Sequence, residues 1–557
     1  MVTTSKKPSR KTRPRGPCSR PGAWYTSPEP VYMALSAIAE SLERRRTLEN
    51  KASGEEVPKI HVDEIALKVA AFYERARNII DYKEEHLFRK RFISRALKRR
   101  LTLNGAKNIA EPLIKDVIRA GHLPNDKVPE TKIPEIARIV DTYLRVRDGL
   151  RGEAAGERRV LTDWFFRVTA SALEEALFPP VYDRTMADFM VTTILGNLTV
   201  RNATLEQSRV STGIFVAVER ALLRVDDDQL RLHLFRFLYP ERADLSPDDA
   251  GALAGSLPEI EKNIERALND PKRRFFATLA HQWAPAFMVL GDVVRAADQH
   301  GELPVVLNDK EELESRAREA YRRRFRRARA KLRRFAFLTV ISFFLSKIAI
   351  ALAVEIPLQN YVFNDFSLAH TIANIVFAPL LMLIIVAFIR MPSRKNEALV
   401  ADEIIRMRSD GASREYILAF PKKRAAAAEF AVRLFYLAMF FVSLYLIANL
   451  LLWLDFNYAD IVIFVLFTSL VGAAGVKVHN RAREISLEKK KARVLGFVLD
   501  VFAIPFITIG TWIISGLSRF NFLVIAVDLL VDMPFHIFVE FVENVSDFIR
   551  GRKEAIE

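Results

Sequence analysis

The stretch RRRFRRARAKLRRFAFLTVISFFLSKIAIALAVE, residues 322–355, sets nine Arg or Lys side chains against a run of about twenty mostly apolar residues, with Lys347 alone inside that run. A helix of twenty residues rises about 30 Å, the thickness of a hydrocarbon core. The stretch is therefore expected to be the first crossing of a membrane, with its arginines forming a collar on one side.

Five further apolar segments follow the first (335–354), at 368–389, 431–454, 460–476, 494–517 and 520–541. The loops between them alternate in charge. Those at 390–430 and 477–493 carry nine and seven Lys or Arg, whereas 355–367 and 455–459 carry none and hold Glu355, Asp365 and Asp455. The positive-inside rule then places the basic loops, the chain before residue 335 and the RGRK run near the C-terminus in the cytosol. Only the short turn with Arg519 departs from the pattern. The expected location is a membrane of the plasma or bacterial inner type, with both termini cytosolic. A second arrangement also fits the last two segments: Pro505 and Pro534 break 494–533 into a re-entrant hairpin, and 534–549 lies on the cytosolic surface.

Upstream of the first crossing the pattern is helical. Segments 62–82, 109–123, 133–150 and 160–178 repeat apolar residues at three- and four-residue steps, and strand-like alternation is scarce. The expected fold is all-α. A disordered basic tail (1–28) leads into a large cytosolic helical domain (29–310), a basic juxtamembrane helix (311–334) and a polytopic helical membrane bundle (335–549) of six segments.

The net charge of +16 suggests nucleic acid until it is located along the chain. Residues 1–22 carry seven basic and no acidic side chains, and residues 316–334 carry eleven basic against Glu319, which accounts for the whole excess. Anionic lipid headgroups explain the second cluster, at about 1 kcal/mol per basic residue near the surface. Arg322, Arg323, Arg324, Arg326, Arg327, Arg329, Lys331, Arg333 and Arg334 are the expected lipid contacts. The aromatic platforms of single-strand binding are thin beside both clusters, with Trp24, Tyr25, Tyr321 and Phe325 the nearby candidates, so nucleic acid is not the favoured partner.

Cys18 is the single cysteine, which excludes an intramolecular disulfide, a Cys-based zinc centre and a Cys-pair redox motif. The N-terminus has no apolar stretch after its charges and does not resemble a secretory signal. No phosphate loop, dinucleotide fingerprint, zinc-protease or nucleophile-elbow motif occurs, so no cofactor and no enzymatic activity are expected. VDDDQLRLHLFRFLYPE (225–241) lacks calcium-loop spacing and is expected to start a helix on acidic residues. Ser246 and Pro247 are expected as N-cap and first helical residue. Glycosylation triplets at 197, 202 and 544 fall on the side placed in the cytosol.

The sixth segment spaces Asp528, Asp532, His536 and Glu540 at four-residue steps, with Glu543 and Asp547 in the same sector. Such a stripe is an ion path, a proton relay or part of a metal site if it crosses, and a wet face if the helix lies at the interface. Two central Asp cost roughly 5–7 kcal/mol to insert, and the apolar residues return roughly 4–8. Lys347 lies about 18 Å from the cytosolic end of its span and about 11 Å from the outer end, too deep for its stem to escape. Asp528 falls at the same level, about 12 Å from the outer end, so a Lys347–Asp528 pair with Asp500 nearby is the expected intramembrane site. A purely structural pair that fixes helix packing is its more ordinary counterpart. His370, Asn374 and Asn449 are expected to bond local backbone, and SLVGAAG (469–475) to be a close-packing face.

Three functions fit these features. A membrane-tethered scaffold whose cytosolic domain binds a protein partner is preferred. A cation-coupled transporter or channel built on Lys347, Asp500, Asp528, Asp532 and His536 is the alternative, and a tether for nucleic acid or ribosomes through the basic tail is the third.

Overall fold

The computed structural model describes residues 85–103, 108–150, 154–358 apart from 203 and 243–244, 368–388, 394–408, 415–420, 426–483, 486–487 and 494–517, with a few positions between 35 and 62. The N-terminal tail, most of the expected helix at 62–82 and the sixth apolar segment lie outside the described residues. What is described is helical almost throughout.

Helices α1 (Glu85–Leu103), α2 (Ala110–Arg119), α3 (Lys132–Gly149) and α4 (Ala155–Leu177) pack in succession; α2, α3 and α4 fall on the segments that apolar spacing predicts, whereas the spacing predicts no helix at α1. After them come α5 (Val181–Gly196), a strand β1 (Leu198–Arg201), α6 (Gln207–Val218), α7 (Asp227–Leu238), α8 (Ala250–Leu268) and the 27-residue α9 (Arg273–Gln299). Trp164, Phe165, Phe189, Phe215, Phe235, Phe276 and Phe287 fill the core.

Local chemistry sets the helix ends. Asp226 accepts from the Gln229 amide at 3.0 Å, so VDDDQL does start a helix with Asp227 and Asp228 in its first turn. Ser246 caps the 3-10 turn Pro247–Asp249 that leads into α8. At Gly301 (φ +71°) α9 ends in a Schellman motif: Glu302 donates to the Ala297 carbonyl at 2.9 Å and Gly301 to Asp298 at 3.1 Å.

Beyond a short helix α10 (Leu303–Asn308), helix α11 (Lys310–Ile350) runs 41 residues without a break and continues into a π-helical turn, Ala351–Glu355. Asp309 caps it, accepting from the Glu311 and Glu312 amides, and Glu312–Arg316 and Glu314–Arg318 pairs at 2.6 and 2.7 Å brace its first turns. The remaining helices are α12 (Leu368–Phe388), α13 (Arg394–Arg408), α14 (Ala426–Trp453), α15 (Tyr458–Arg483) and α16 (Val494–Leu517), with a second strand, β2 (Tyr416–Ala419), before α14.

Three helical stretches, 310–353, 427–453 and 460–480, are long and apolar enough to cross a membrane, and 375–385 and 502–516 are shorter apolar stretches. The expected segments at 335–354, 368–389, 431–454, 460–476 and 494–517 all fall on helices. On α14 the apolar side chains point outward, Trp453 at 78 % exposure and Tyr445 at 68 %. A water-soluble helix buries that face instead. The short turn between α14 and α15 is another Schellman motif, with Asp455 in the left-handed region (φ +59°) and Phe456 donating to the Leu451 carbonyl at 3.0 Å. The small-residue patch 469–475 packs closely, as expected. A Cβ on Gly510 of α16 would stand 2.0 Å from the Ser469 carbonyl oxygen, and one on Gly475 would stand 2.9 Å from Ile385.

β1 and β2 pair in parallel, Leu198 with Tyr416 through Arg201 with Ala419. No sequence signal marks this ladder. Each strand is four residues long, too short for alternation to register, and the partners are 218 residues apart. The pairing inserts the loop between α12 and α14 into the helical domain. Tyr416 and Leu418 turn inward and Tyr416 meets Trp283 edge to face at 5.4 Å. Phe420 packs on Phe275 and Phe276 of α9, and its carbonyl accepts from the Asn202 side chain at 3.1 Å.

Candidate functional site

The site begins with the basic part of α11, because this helix carries the helical domain into the apolar helices. Its cations divide into two groups. Arg324 grips Asp292 of α9 through two bonds of 2.8 and 2.9 Å, and Arg322 meets both oxygens of Glu397 on α13 at 3.0 and 3.1 Å. Arg323 lies 3.6 Å from Glu319 one turn back. Arg326, Arg327, Arg329, Lys331, Arg333 and Arg334 are exposed and form no ion pair among the described residues.

Asn396 on α13, next to Glu397, is fully buried. Its amide nitrogen donates to the Tyr321 hydroxyl of α11 at 2.8 Å, and its oxygen accepts from the Leu487 amide at 2.7 Å. One side chain thus joins α11, the 390–430 loop and the 477–493 loop. With the β1–β2 ladder, this puts both basic loops and the helical domain on one side of any membrane that the apolar helices cross. The alternation of loop charge requires the same grouping. No sequence signal marks Asn396, since its partners lie 75 and 91 residues away.

Lys347 is the polar residue of the apolar part that sequence singles out, and it is fully buried. Its ammonium lies 4.9 Å from the ring centroid of Phe467 on α15, within cation–π range. Around it, Met382, Phe467, Val471 and Val478 form a small apolar core of their own, against which Val340 and Ile350 pack. Asp500 falls on α16, and its side chain, like Asp528, Asp532, His536 and Glu540, lies outside the described residues. Asn449 bonds the Tyr445 carbonyl of its own helix at 2.9 Å, as expected, and the side chains of His370 and Asn374 are not described.

A second polar cluster is buried in the helical domain, at residues that no sequence motif marks. A π-helical turn, Glu219–Leu223, follows α6, and Arg224 closes it in the left-handed region. The wider turn aims Glu219 inward, where it is fully buried. Its oxygens meet His233 Nδ1 at 2.6 Å and Arg184 at 2.7 Å. His233 Nε2 lies 3.4 Å from Glu175, which also pairs with Arg236, and Arg184 lies 3.7 Å from Asp188. Both ring nitrogens of His233 face carboxylates, which only accept, so the ring is an imidazolium. Three carboxylates then balance three cations across α4, α5, the π turn and α7. Burial alone would lower the His233 pKa, but the charge of Glu219 and the hydrogen bonds to Glu175 and Glu219 together exceed it and the pKa is raised. Burial alone would raise Glu219, but Arg184 and His233 hold its carboxyl below the usual range. Glu175 is likewise held low against burial, by the His233 hydrogen bond and Arg236. The neighbouring Glu174 goes the other way, because burial raises it more than Arg89 and Gln229 lower it.

A third buried carboxylate, Asp116 on α2, accepts from Arg99, Arg100 and Arg119 at 2.8–3.0 Å. Burial opposes its ionisation, yet the bond and charge of Arg100 with the other two guanidinium groups keep its pKa below the ordinary value. Among the described residues no three His, Cys, Asp or Glu side chains converge as metal ligands do. Comparison of the chain with protein-family models, with curated proteins and with solved structures returned no match.

Proposed function

We propose that the protein is a multi-pass membrane protein whose helical domain stands on the cytosolic face as a non-enzymatic scaffold for a soluble protein partner. The observation that carries this reading is the attachment of that domain at three points: unbroken α11, the β1–β2 ladder and the Asn396 junction. A flexible linker serves a tether that searches for its target. Three fixed attachments serve a surface held at constant height and orientation. The charge alternation of the loops supports the cytosolic assignment, in a plasma or bacterial inner membrane. Arg322 and Arg324 hold the domain to its helix, so contact with anionic headgroups falls mainly to Arg326, Arg327, Arg329, Lys331, Arg333 and Arg334, with Arg323 beside them.

Full burial of Lys347 inside the apolar helices favours a second reading, an ion path that it would share with Asp500, Asp528, Asp532, His536 and Glu540. Reconstituted full-length protein separates the two. A scaffold gives no cation flux in proteoliposomes and co-purifies with a soluble partner at fixed stoichiometry. Flux that disappears in Lys347→Gln overturns the scaffold reading in favour of the ion path.

A further inference from the structure

The described surface contains a notch of about 160 Å³ between the end of α6, its π turn, the end of α8 and the start of α9. Small side chains make it: Gly213, Ala217, Ala267 and Ala277 line it beside the ring of Phe276. Gly213 cannot be replaced without moving that ring, since a Cβ there would stand 2.5 Å from it. The floor is therefore apolar and built by close helix packing.

The rim is cationic. Arg220, Arg273 and Arg274 all border the notch. Arg220 reaches Asp227 at 2.7 Å, whereas Arg273 and Arg274 form no ion pair among the described residues. The one carboxylate in the lining, Asp270, is held by Arg209 through bonds of 2.7 and 2.9 Å and by the Lys272 amide at 2.6 Å. Its charge is thus neutralised from outside the notch, and the hydrogen bond from Arg209 holds its pKa low. Several guanidinium groups around a small apolar floor repel one another until an anion joins them, and their planar forks match phosphate oxygens.

We propose that this notch binds a phosphate monoester carrying a small apolar group, the phosphate meeting Arg273 and Arg274 and the apolar group lying against Gly213, Ala267 and Ala277. The volume is below the roughly 300–1,000 Å³ of a drug-sized pocket, so the ligand, or the part of it that enters, is headgroup-sized. Phe276 packs on Phe420, and Phe420 precedes the first residue of α14 by six positions, a reach of at most roughly 20 Å. A phospholipid headgroup and a free phosphate ester are both within access. This inference does not depend on the scaffold reading, because neither partner recruitment nor flux involves the notch.

The test uses full-length protein in phosphatidylcholine nanodiscs and phenyl phosphate as probe, with phenol and inorganic phosphate as half-ligands. Phenyl phosphate is expected to bind more tightly than either half. The Arg273→Gln/Arg274→Gln variant removes exposed charges without touching the core and is expected to weaken binding at least about tenfold. Ala277→Leu keeps every charge, fills the floor and is expected to abolish binding. Unchanged binding in either variant, or no binding of phenyl phosphate in the millimolar range, overturns the proposal. Nanodiscs that contain phosphatidic acid identify the source. Loss of probe binding there marks a lipid headgroup as occupant, and retained binding marks a soluble phosphate ester.

Discussion

Replacing His233 with Gln removes one cation from a buried, charge-balanced set and leaves Glu175 and Glu219 facing each other across a neutral amide. Breaking a buried ion pair costs about 3–5 kcal/mol. For a domain of this size, roughly 2–4 °C of melting temperature per kcal/mol makes a loss on the order of 10 °C. The pH dependence is more diagnostic than the loss. Because the folded state raises the His233 pKa above 6.5, its contribution is fully present below pH 6.5 and is lost as pH rises through the folded value. In that window one proton changes stability by at most about 1.4 kcal/mol per pH unit, or roughly 3–5 °C. On the acid side the signs reverse. Glu175 and Glu219 have folded pKa values below 4.5, so their contribution is present above pH 4.5 and is lost as pH falls through those values. Tryptophan-monitored melting of the full-length protein between pH 5 and pH 10 measures this, since Trp164 and Trp283 both lie in the helical domain. The difference between wild type and His233→Gln should be largest near pH 6 and shrink steadily toward alkaline pH. A difference that stays constant with pH would mean that His233 is neutral in the fold and would refute the imidazolium assignment.

Other consequences follow from single contacts. Asp116→Asn removes the carboxylate that Arg99, Arg100 and Arg119 share and should cost about 3–5 kcal/mol, visible in the same melting experiment. Gly510→Ala should destabilise the apolar helices in detergent, whereas Gly516→Ala, with nothing within 4 Å of the added Cβ, should melt like wild type. Asn396→Ala removes the bond to the Leu487 amide, and limited proteolysis should then cut faster within 477–493 while the helical domain keeps its melting temperature.

The parts of this structure that sequence discloses are those written in local periodicity. The three- and four-residue apolar spacing marks α3 to within a residue and α2 and α4 to within about five at one end, and long apolar runs mark α12, α14, α15, α16 and the second half of α11. Capping chemistry at Asp226 and Ser246 is a matter of neighbouring residues and was equally visible. Long-range polar contacts were not. His233 reaches Glu219 over 14 positions and Glu175 over 58, Asn396 joins residues 75 and 91 positions away, and β1 and β2 pair across 218 positions. Nothing in the sequence around any of these residues distinguishes a buried pair from a solvated one. The basic run on α11 shows the same limit, because its overall charge is legible but the division into Arg322 and Arg324, which pair with carboxylates on α13 and α9, and six outward cations without ion pairs among the described residues depends on where α9 and α13 pack. Lys347 was marked by sequence as a residue that needs surroundings of its own, and Phe467 is one of them.

The β1–β2 ladder builds the loop between α12 and α14 into the helical domain. A disulfide across the ladder measures it directly. Thr199 and Ile417 are register partners at partly exposed positions, and Cys18 is the only thiol to remove first. In native membranes, Thr199→Cys/Ile417→Cys on a Cys18→Ser background should form an intramolecular crosslink under mild oxidation, and the off-register pair Thr199→Cys/Ala419→Cys should form little. Failure of the in-register pair to crosslink, with both cysteines reactive to a soluble thiol reagent, would contradict the attachment.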